Sequence, residues 1–362
     1  MSDLAPTVPE KLRRWLEWAV QVGASDLHLF AGHPPVIRLN GDLSELPEPP
    51  LTAEEAVPLL ESICPPSAIT HFHEQRNADF SFDISLGGVT RRFRTSLFHA
   101  ARQVGGCFRV IPDAIPAFDW AGFPHALATR LTALRDGLVI VTGATGSGKT
   151  TTLAMIVNEL NRAGGYRIIT VEEPVEYLFP REPNSVVTQR EVGQDVLTFA
   201  DGLKYGLRQD PDVILVGEIR DRETAQMCLS AAETGHLVFS TLHTRDAKGA
   251  VTRFPDFFPQ DSQPIVRSQL AMSLRSVLSQ RLLPGTERGG KRHLALEVLW
   301  NTHAIASAIR TGRVESIDNC LTTGRDDGMV TFDESVRQLL KAGKISRAVA
   351  EQNVNDRSVL NR

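Results

Sequence analysis

Eight consecutive residues, Gly143-Ala144-Thr145-Gly146-Ser147-Gly148-Lys149-Thr150, fit the pattern G-x-x-x-x-G-K-[ST] in full, with Thr151 directly behind them. The chemistry open to such a run is anion binding. Glycines let successive backbone N–H groups converge on one anion without side-chain obstruction, and a helix starting there adds its positive end. Lys149 supplies a point charge for β- and γ-phosphates, and Thr150 a hydroxyl ligand for Mg2+. A glycine-rich turn without a ligand is the bland alternative. The context argues against it, because "GLVIVTG" in front reads as a strand and the residues behind as a helix. The spacing therefore predicts a nucleoside triphosphate site.

Three further stretches could complete a reaction. "DVILVGE" places Glu218 at the end of an apolar strand, where an open parallel sheet holds its ligands. A carboxylate there orients water or a metal-bound water, and a glutamate at this position favours hydrolysis over kinase chemistry. Its bland role is a surface residue opening the next loop. "TVEEPVEY" supplies Glu172, Glu173 and Glu176 at the end of a second strand, and any of them could polarise water or reach Mg2+ through a water. "GHLVFSTLHT" puts His236 and His243 at the two ends of another strand. A lone histidine is more often structural, but His243 follows the strand and could sense a γ-phosphate.

The elements that must position these groups can be read around them. A chain of 362 residues, 42% apolar and 23% charged, has ample material for two soluble domains. Residues from Pro9 to Val22 read as an amphipathic helix with Leu12, Trp15, Leu16 and Ala19 on one stripe. "SDLHLF", "PPVIRLNGDL", "DFSFDISLGGVTRRFRTSLF" and "GGCFRVIP" read as strands, with hairpin turns at Asn40-Gly41 and Gly87-Gly88. The first third is thus helices plus an antiparallel sheet. "IPDAIPAFDWAGFP", with three prolines, is the linker candidate.

Beyond the linker, strands alternate with helices, which predicts a mostly parallel sheet covered on both faces. The helices are expected in "FADGLKYGLRQ" and in "DRETAQMCLSAAETG", ending at Gly235. From "SQPIVRSQLAMSLRSVLSQRL" onward the pattern is mainly helical. Net charge of -4 and a pI near 6.2 argue against a dedicated nucleic-acid binder. Cys64, Cys107, Cys228 and Cys320 form no CxxC pair, so no zinc site is readable. No run approaches the roughly 18 apolar residues of a membrane span, and the N-terminus lacks the pattern of a secretion signal. A cytoplasmic chain is expected, reaching any membrane through a partner.

"GATGSGKT", "ITVEEPVEY", "DPDVILVGEIRDRET" and "AAETGHLVFSTLHT", in this order, resemble the Walker A, Asp, Walker B and His boxes of the secretion ATPase (GspE/PulE-like) superfamily. The N-terminal "GASDLHLFAGHPPVIRLNG" is similar to its type IV pilus retraction branch, the PilT/PilU family. The resemblance implies an α/β chain: an N-terminal PAS-like α+β domain, then a RecA-like P-loop NTPase domain with a helical C-terminal region. The matching limits are 1–112 for the PAS-like domain, 113–123 for the linker, 124–285 for the core and 286–362 for the C-terminal region.

It further implies a homohexameric ATPase motor for twitching motility that uses ATP and Mg2+. The motor would act through an inner-membrane pilus platform protein (PilC-like), with a paralogous motor as a further partner. Carried over by position, Gly143 to Thr151 bind nucleotide, Thr150, Glu173 and Glu218 serve the metal, and Glu218 is the base. Glu172 matches the Asp-box glutamate. Glu173 replaces that box's usual aspartate, with a reach one methylene longer. His236 and His243 match the His-box pair.

The resemblance also gives meaning to "RRFRTSLF" and "CFRVIP", because in this family the N-terminal domain of one subunit lends arginines to a neighbour's nucleotide. Arg94 and Arg109 match best, with Arg208 as another candidate; Arg91, Arg92 and Arg94 cannot all face one way on a strand. "AIASAIRTGR", Ala304 to Arg313, stands where the retraction enzymes carry a helix read as AIRNLIRE and keeps its amphipathic stripe in Ala304, Ile305, Ile309 and Arg310. The paired-CxxC insertion and longer N-terminal region of assembly and type II secretion motors are missing, which favours retraction. An accessory PilU-like motor, a pilus-assembly or secretion ATPase, and a RecA-type DNA translocase are the alternatives.

Overall fold

Leu12, Trp15, Leu16 and Ala19 recur at helical spacing, and the helix Glu10–Gln21 buries all four. They join a core with Leu27 and Leu29 of a strand whose alternate residues face the other way. This computed structural model describes residues 8–39, 41–112, 114–287 and 290–361. The chain divides into two units. The first runs up to Ala114 and includes Pro174–Tyr177; the second is Ile115–Glu173 with the chain from Leu178 onward.

In the first unit the described strands are β1 (Asp26–Phe30), β2 (Val36–Leu39), β3 (Asp42–Glu45), β4 (Asn77–Leu86), β5 (Val89–Ala100) and β6 (Gln103–Val110). They form one sheet in the order β3-β2-β1-β6-β5-β4, antiparallel throughout. Gly87 and Gly88 both take positive φ, and Leu86 pairs with Val89, so the two-residue turn expected there closes the β4–β5 hairpin. The other expected turn falls partly on Asn40, which lies outside the described residues. Apolar side chains of Phe93, Leu97 and Phe108 fill one face of the sheet, packed with the helices Glu10–Gln21, Ala53–Glu61 and Pro66–Gln75.

The second unit holds β7 (Gly137–Thr142), β8 (Arg167–Glu172), β9 (Val186–Glu191), β10 (Val213–Val216), β11 (Leu237–Leu242), β12 (Leu274–Leu283) and β13 (His293–Trp300). Their order is β13-β12-β7-β11-β10-β8-β9. Every pairing is parallel except β12 with β13. Every residue of β7, β10 and β11 is buried, as befits strands covered on both faces. The helices Phe199–Gly206 and Arg222–Glu233 lie where the pattern predicts. With its P-loop helix Lys149–Ala163 after β7, the unit is the RecA-like α/β core that the four motifs imply.

Beyond Trp300 the chain is helical, as expected, but the stretch read as helical before it is corrected by two strands. Leu274, Val277, Leu278 and Leu282 are spaced like one face of a helix. Yet they belong to β12, where Ser276, Ser279 and Gln280 are buried as well. A strand enclosed on both sides has no solvent face, so its polar residues misreport the period. Each donates inside: Ser276 Oγ to the Leu299 carbonyl, Ser279 Oγ to that of Arg245, and Gln280 Nε2 to that of Ser147. Edge strand β9 was also unread; "VVTQRE" is too short and polar to announce itself.

Candidate active site

After Thr142 the chain leaves the sheet in a loop whose shape demands glycine. Gly143 has φ 147°, and a Cβ there would lie 2.4 Å from the Gln280 carbonyl oxygen and 2.7 Å from Ser147 Oγ. Gly148, at φ 87°, is the N-cap of Lys149–Ala163, and no side chain caps that helix. Its positive end therefore faces the loop. Ala144, Thr145 and Gly146 form the exposed rim, Ser147 is buried, and Thr150 and Thr151 are half-buried on the first turn. Lys149 is 8% exposed, its Nζ donating to the carbonyls of Gly143 and Ala144 at 2.9 and 3.1 Å. The loop thus gathers backbone amides, one ammonium and one hydroxyl at a single mouth.

Parallel pairing brings the carboxyl ends of β8, β10 and β11 to the same end of the sheet as this loop. Glu218 follows β10 and is only 13% exposed. Its backbone is held on both sides. The Gly217 N–H donates to Val171 O, the Gly217 carbonyl accepts from Thr241 Oγ1, and the Ile219 N–H donates to Thr241 O. The Glu218 carboxylate lies 2.5 Å from Arg220 Nη2 and 3.0 Å from His243 Nε2. Arg220 Nη1 reaches Glu173 Oε2 at 2.8 Å. Glu173, Arg220, Glu218 and His243 therefore form one chain of charge and hydrogen bonds across three strand ends. Arg220 and His243 are half-exposed, so these pairs orient more than they stabilise.

The other sequence-predicted groups are placed differently. Glu172 is 5% exposed, and its Oε1 accepts from Thr170 Oγ1 at 2.6 Å and Gln189 Nε2 at 3.3 Å. His236 sits before β11, at the far end of a strand about 20 Å long. Its Nδ1 lies 3.0 Å from the Ala231 carbonyl, where the helix Arg222–Glu233 finishes. His236 serves that helix end and His243 the acidic cluster.

The sequence matches the Type II/IV secretion system protein family over residues 5–358. It is 41% identical to the "Type IV pilus retractation ATPase PilT" of Pseudomonas aeruginosa over 337 residues, 93% of this chain and 96% of that one. It is 38% identical to the "Type IV pilus ATPase PilU" of the same organism over 337 residues, 93% of this chain and 86% of that one. Its fold superposes on the crystal structure of the pilus retraction motor PilT with bound ADP at a TM-score of 0.85 and 39% identity. That match covers 99% of this chain and all of the other.

The chain belongs to the type II/IV secretion system protein family, in its PilT/PilU-like part.

In this secretion-system protein the arginines of the first unit line up across the sheet. Register pairs run from Arg38 to Asp26, from Asp26 to Arg109 and from Arg109 to Arg94, so all four side chains share one face. Arg109 Nε is 2.9 Å from Asp26 Oδ1, and Arg94 Nη1 is 3.4 Å from Glu176 Oε1. Burial works against the Arg109 charge, but the hydrogen bond and attraction of Asp26 outweigh it and hold its pKa above the usual value. Arg92 donates to Ser81 Oγ at 3.1 Å. Arg208 is exposed just past the helix Phe199–Gly206.

Sequence reasoning left Arg220, Gln280 and the pair Thr142–Thr244 without roles. The signal for Arg220 was its place two residues after Glu218 in "VGEIRD". Thr142 Oγ1 and Thr244 Oγ1 are 2.7 Å apart, and the Thr244 N–H donates to Thr142 Oγ1 at 2.9 Å, tying the start of the P-loop to the residue after His243. Nothing in the spacing of two threonines a hundred residues apart foretells that tie.

Proposed function

We propose that this protein is an ATP-hydrolysing motor that retracts type IV pili. It is an ATPase of its family, and it binds nucleotide. The observation that carries the mechanism is Glu218, fixed by backbone on both sides and oriented by His243 and Arg220. It sits one strand beyond the neighbour of the P-loop strand, about 10 Å across two strand spacings. The loop residues Gly143 to Thr151 hold the phosphates, Lys149 compensates their charge, and Glu218 takes the proton of the attacking water. Glu172, braced by Thr170 and Gln189, supports the strand end beside it.

The donors suit Mg2+. Thr150, Glu173 and Glu218 offer hard oxygen ligands, and Mg2+ is usually bound by one or two such groups with substrate phosphates and waters. Among the described residues no cluster of three or more His, Cys, Asp or Glu side chains makes a dedicated metal cage. When bound, the ion would neutralise charge developing on the terminal phosphate.

Subunits would form a hexameric ring in which Arg94 and Arg109 of one copy approach nucleotide held by the next; the resemblance to the family supports this, and the Arg38–Asp26–Arg109–Arg94 row supplies a suitable cationic face. Among the described residues no helix is long and apolar enough to cross a membrane. The resemblance to the retraction ATPases, and not that absence, supports work at the cytoplasmic face of the inner membrane through a platform protein.

Glu218→Gln tests the reading. ATP should still bind while steady-state hydrolysis disappears; equal rates would remove Glu218 from the mechanism. In cells, loss of the gene should leave surplus pili and no twitching, whereas bald cells would mean assembly. A second reading, an accessory motor, stands beside it because the chain is 38% identical to PilU over the same length on which it is 41% identical to PilT. Surplus pili cured by a PilT-like paralogue alone would support it.

A further inference from the structure

Gln280 stands one residue beyond the Ser279–Thr142 register pair, beside Gly143 where the phosphate loop begins. Its side chain is fully buried, and its Nε2 donates to the Ser147 carbonyl oxygen at 2.7 Å. Its own backbone carbonyl is the atom that a Cβ on Gly143 would strike. Both limbs of the loop are thus packed on one residue of β12. The other half of the Gln280 amide, Oε1, is buried without a hydrogen-bond partner. Half-satisfied buried amides are costly, and an apolar residue of similar volume would avoid that cost. What the amide supplies at this place is the one bond it makes.

That bond has a geometric consequence. In a trans peptide the C=O and the following N–H point in opposite directions. A Ser147 carbonyl drawn toward Gln280 therefore turns the Gly148 N–H away from β12, and Gly148 is the residue that opens the P-loop helix. Gly148, free to take either sign of φ, has no side chain to resist a flip of this peptide. A flipped peptide would present a carbonyl oxygen where an anion needs a donor.

We infer that Gln280 is a positioning residue for nucleotide: its amide donor fixes the Ser147–Gly148 peptide so that the loop presents N–H to phosphate. This inference rests on the nucleotide reading above. Four versions of this chain separate the donor from the volume: wild type, Gln280→Leu and Gln280→Glu, each titrated with fluorescent ADP between pH 5.5 and 8, and Gln280→Met as a control for folding. Gln280→Leu should bind about tenfold more weakly, the scale of one buried hydrogen bond, while its melting temperature without nucleotide falls by no more than about 2–4 °C.

Gln280→Glu places a carboxyl against the Ser147 carbonyl. Burial raises its pKa, and only its protonated form can donate. Its deficit relative to wild type should therefore shrink toward acid and widen toward alkali. Wild-type affinity in Gln280→Leu, or a pH-independent deficit in Gln280→Glu, would overturn the inference. So would failure of both variants and of Gln280→Met to fold, which would assign the amide to the core. Wild type that bound no ADP would instead bring down the nucleotide reading itself, and this inference with it.

Discussion

At the carboxyl end of β7 the protein works with backbone: glycine conformations, peptide groups and a buried lysine held by two carbonyls. At the ends of β8, β10 and β11 it works with side chains: Arg220 pairs with Glu173 and with Glu218, and His243 hydrogen-bonds Glu218, all but Glu218 being about half-exposed. Backbone framed by sterics and buried hydrogen bonds has few alternative arrangements. Long charged side chains at a half-exposed site exchange partners at little cost. Under the proposed function the contrast would assign the holding of phosphate to the scaffold and turnover to charges that can be re-paired as the reaction proceeds.

Substitutions should separate the two regions. The largest effect belongs to Glu218→Gln, which should lower kcat by about 10²- to 10⁴-fold, the span of one general base, with nucleotide affinity kept. A matching loss of affinity would erase the division between holding and turnover. Lys149→Ala should do the reverse first, weakening nucleotide binding by about ten- to a hundredfold, as expected for a charged hydrogen-bonding group. Isothermal titration measures it, and undiminished affinity would contradict the cradle.

Arg220→Ala sharpens the comparison at smaller scale. Without the bridge, Glu218 keeps only His243, and kcat should fall several-fold while affinity holds and stability changes by less than about 1 kcal/mol. Unchanged kcat would make Arg220 a surface ion pair only.

The smallest effect concerns Glu297 on β13, whose Oε1 accepts the Ala247 N–H at 2.8 Å. Burial, reinforced by Asp246 and Asp318, pushes its pKa above the usual carboxylate range, against the pull of that N–H and of Arg281. A raised folded pKa means that the folded state holds the proton more tightly. The stability this contributes is complete below the ordinary glutamate range and is lost as pH rises through the raised value. Glu297→Gln keeps an acceptor but cannot ionise. It should melt like wild type in acid and about 2–4 °C higher near pH 8, roughly the shift that 1 kcal/mol brings in a domain of this size. Parallel melting curves at all pH values would refute the assignment.

How much of this was legible follows from where the physics is local. The phosphate loop is contiguous, so its eight residues carried their chemistry in their order. That Glu218 and His243 meet was readable because the carboxyl ends of parallel strands lie on one side of the sheet. The acidic cluster needed its cation: Arg220 was visible in the sequence, but only folding shows that it spans Glu173 and Glu218. β12 was misread because enclosure on both sides buried Ser276, Ser279 and Gln280 and imitated a helical stripe. With that strand went the sequence evidence for Gln280. Spacing alone left Glu172 and Glu173 alike and only the resemblance separated them; the structure gives them unlike surroundings, one buried beside Thr170 and Gln189 and one paired with Arg220.

The short segment after His243 is fastened at almost every step: Thr244 to Thr142 on β7, the Arg245 carbonyl to Ser279 on β12, and the Ala247 N–H to Glu297 on β13. Three separate strands thus grip three of the four residues from Thr244 to Ala247. Any travel of His243 must drag the sheet's far side or tear those fastenings, which makes the segment a drawbar rather than a hinge. In a machine that turns chemistry into pull, that is where load would be carried.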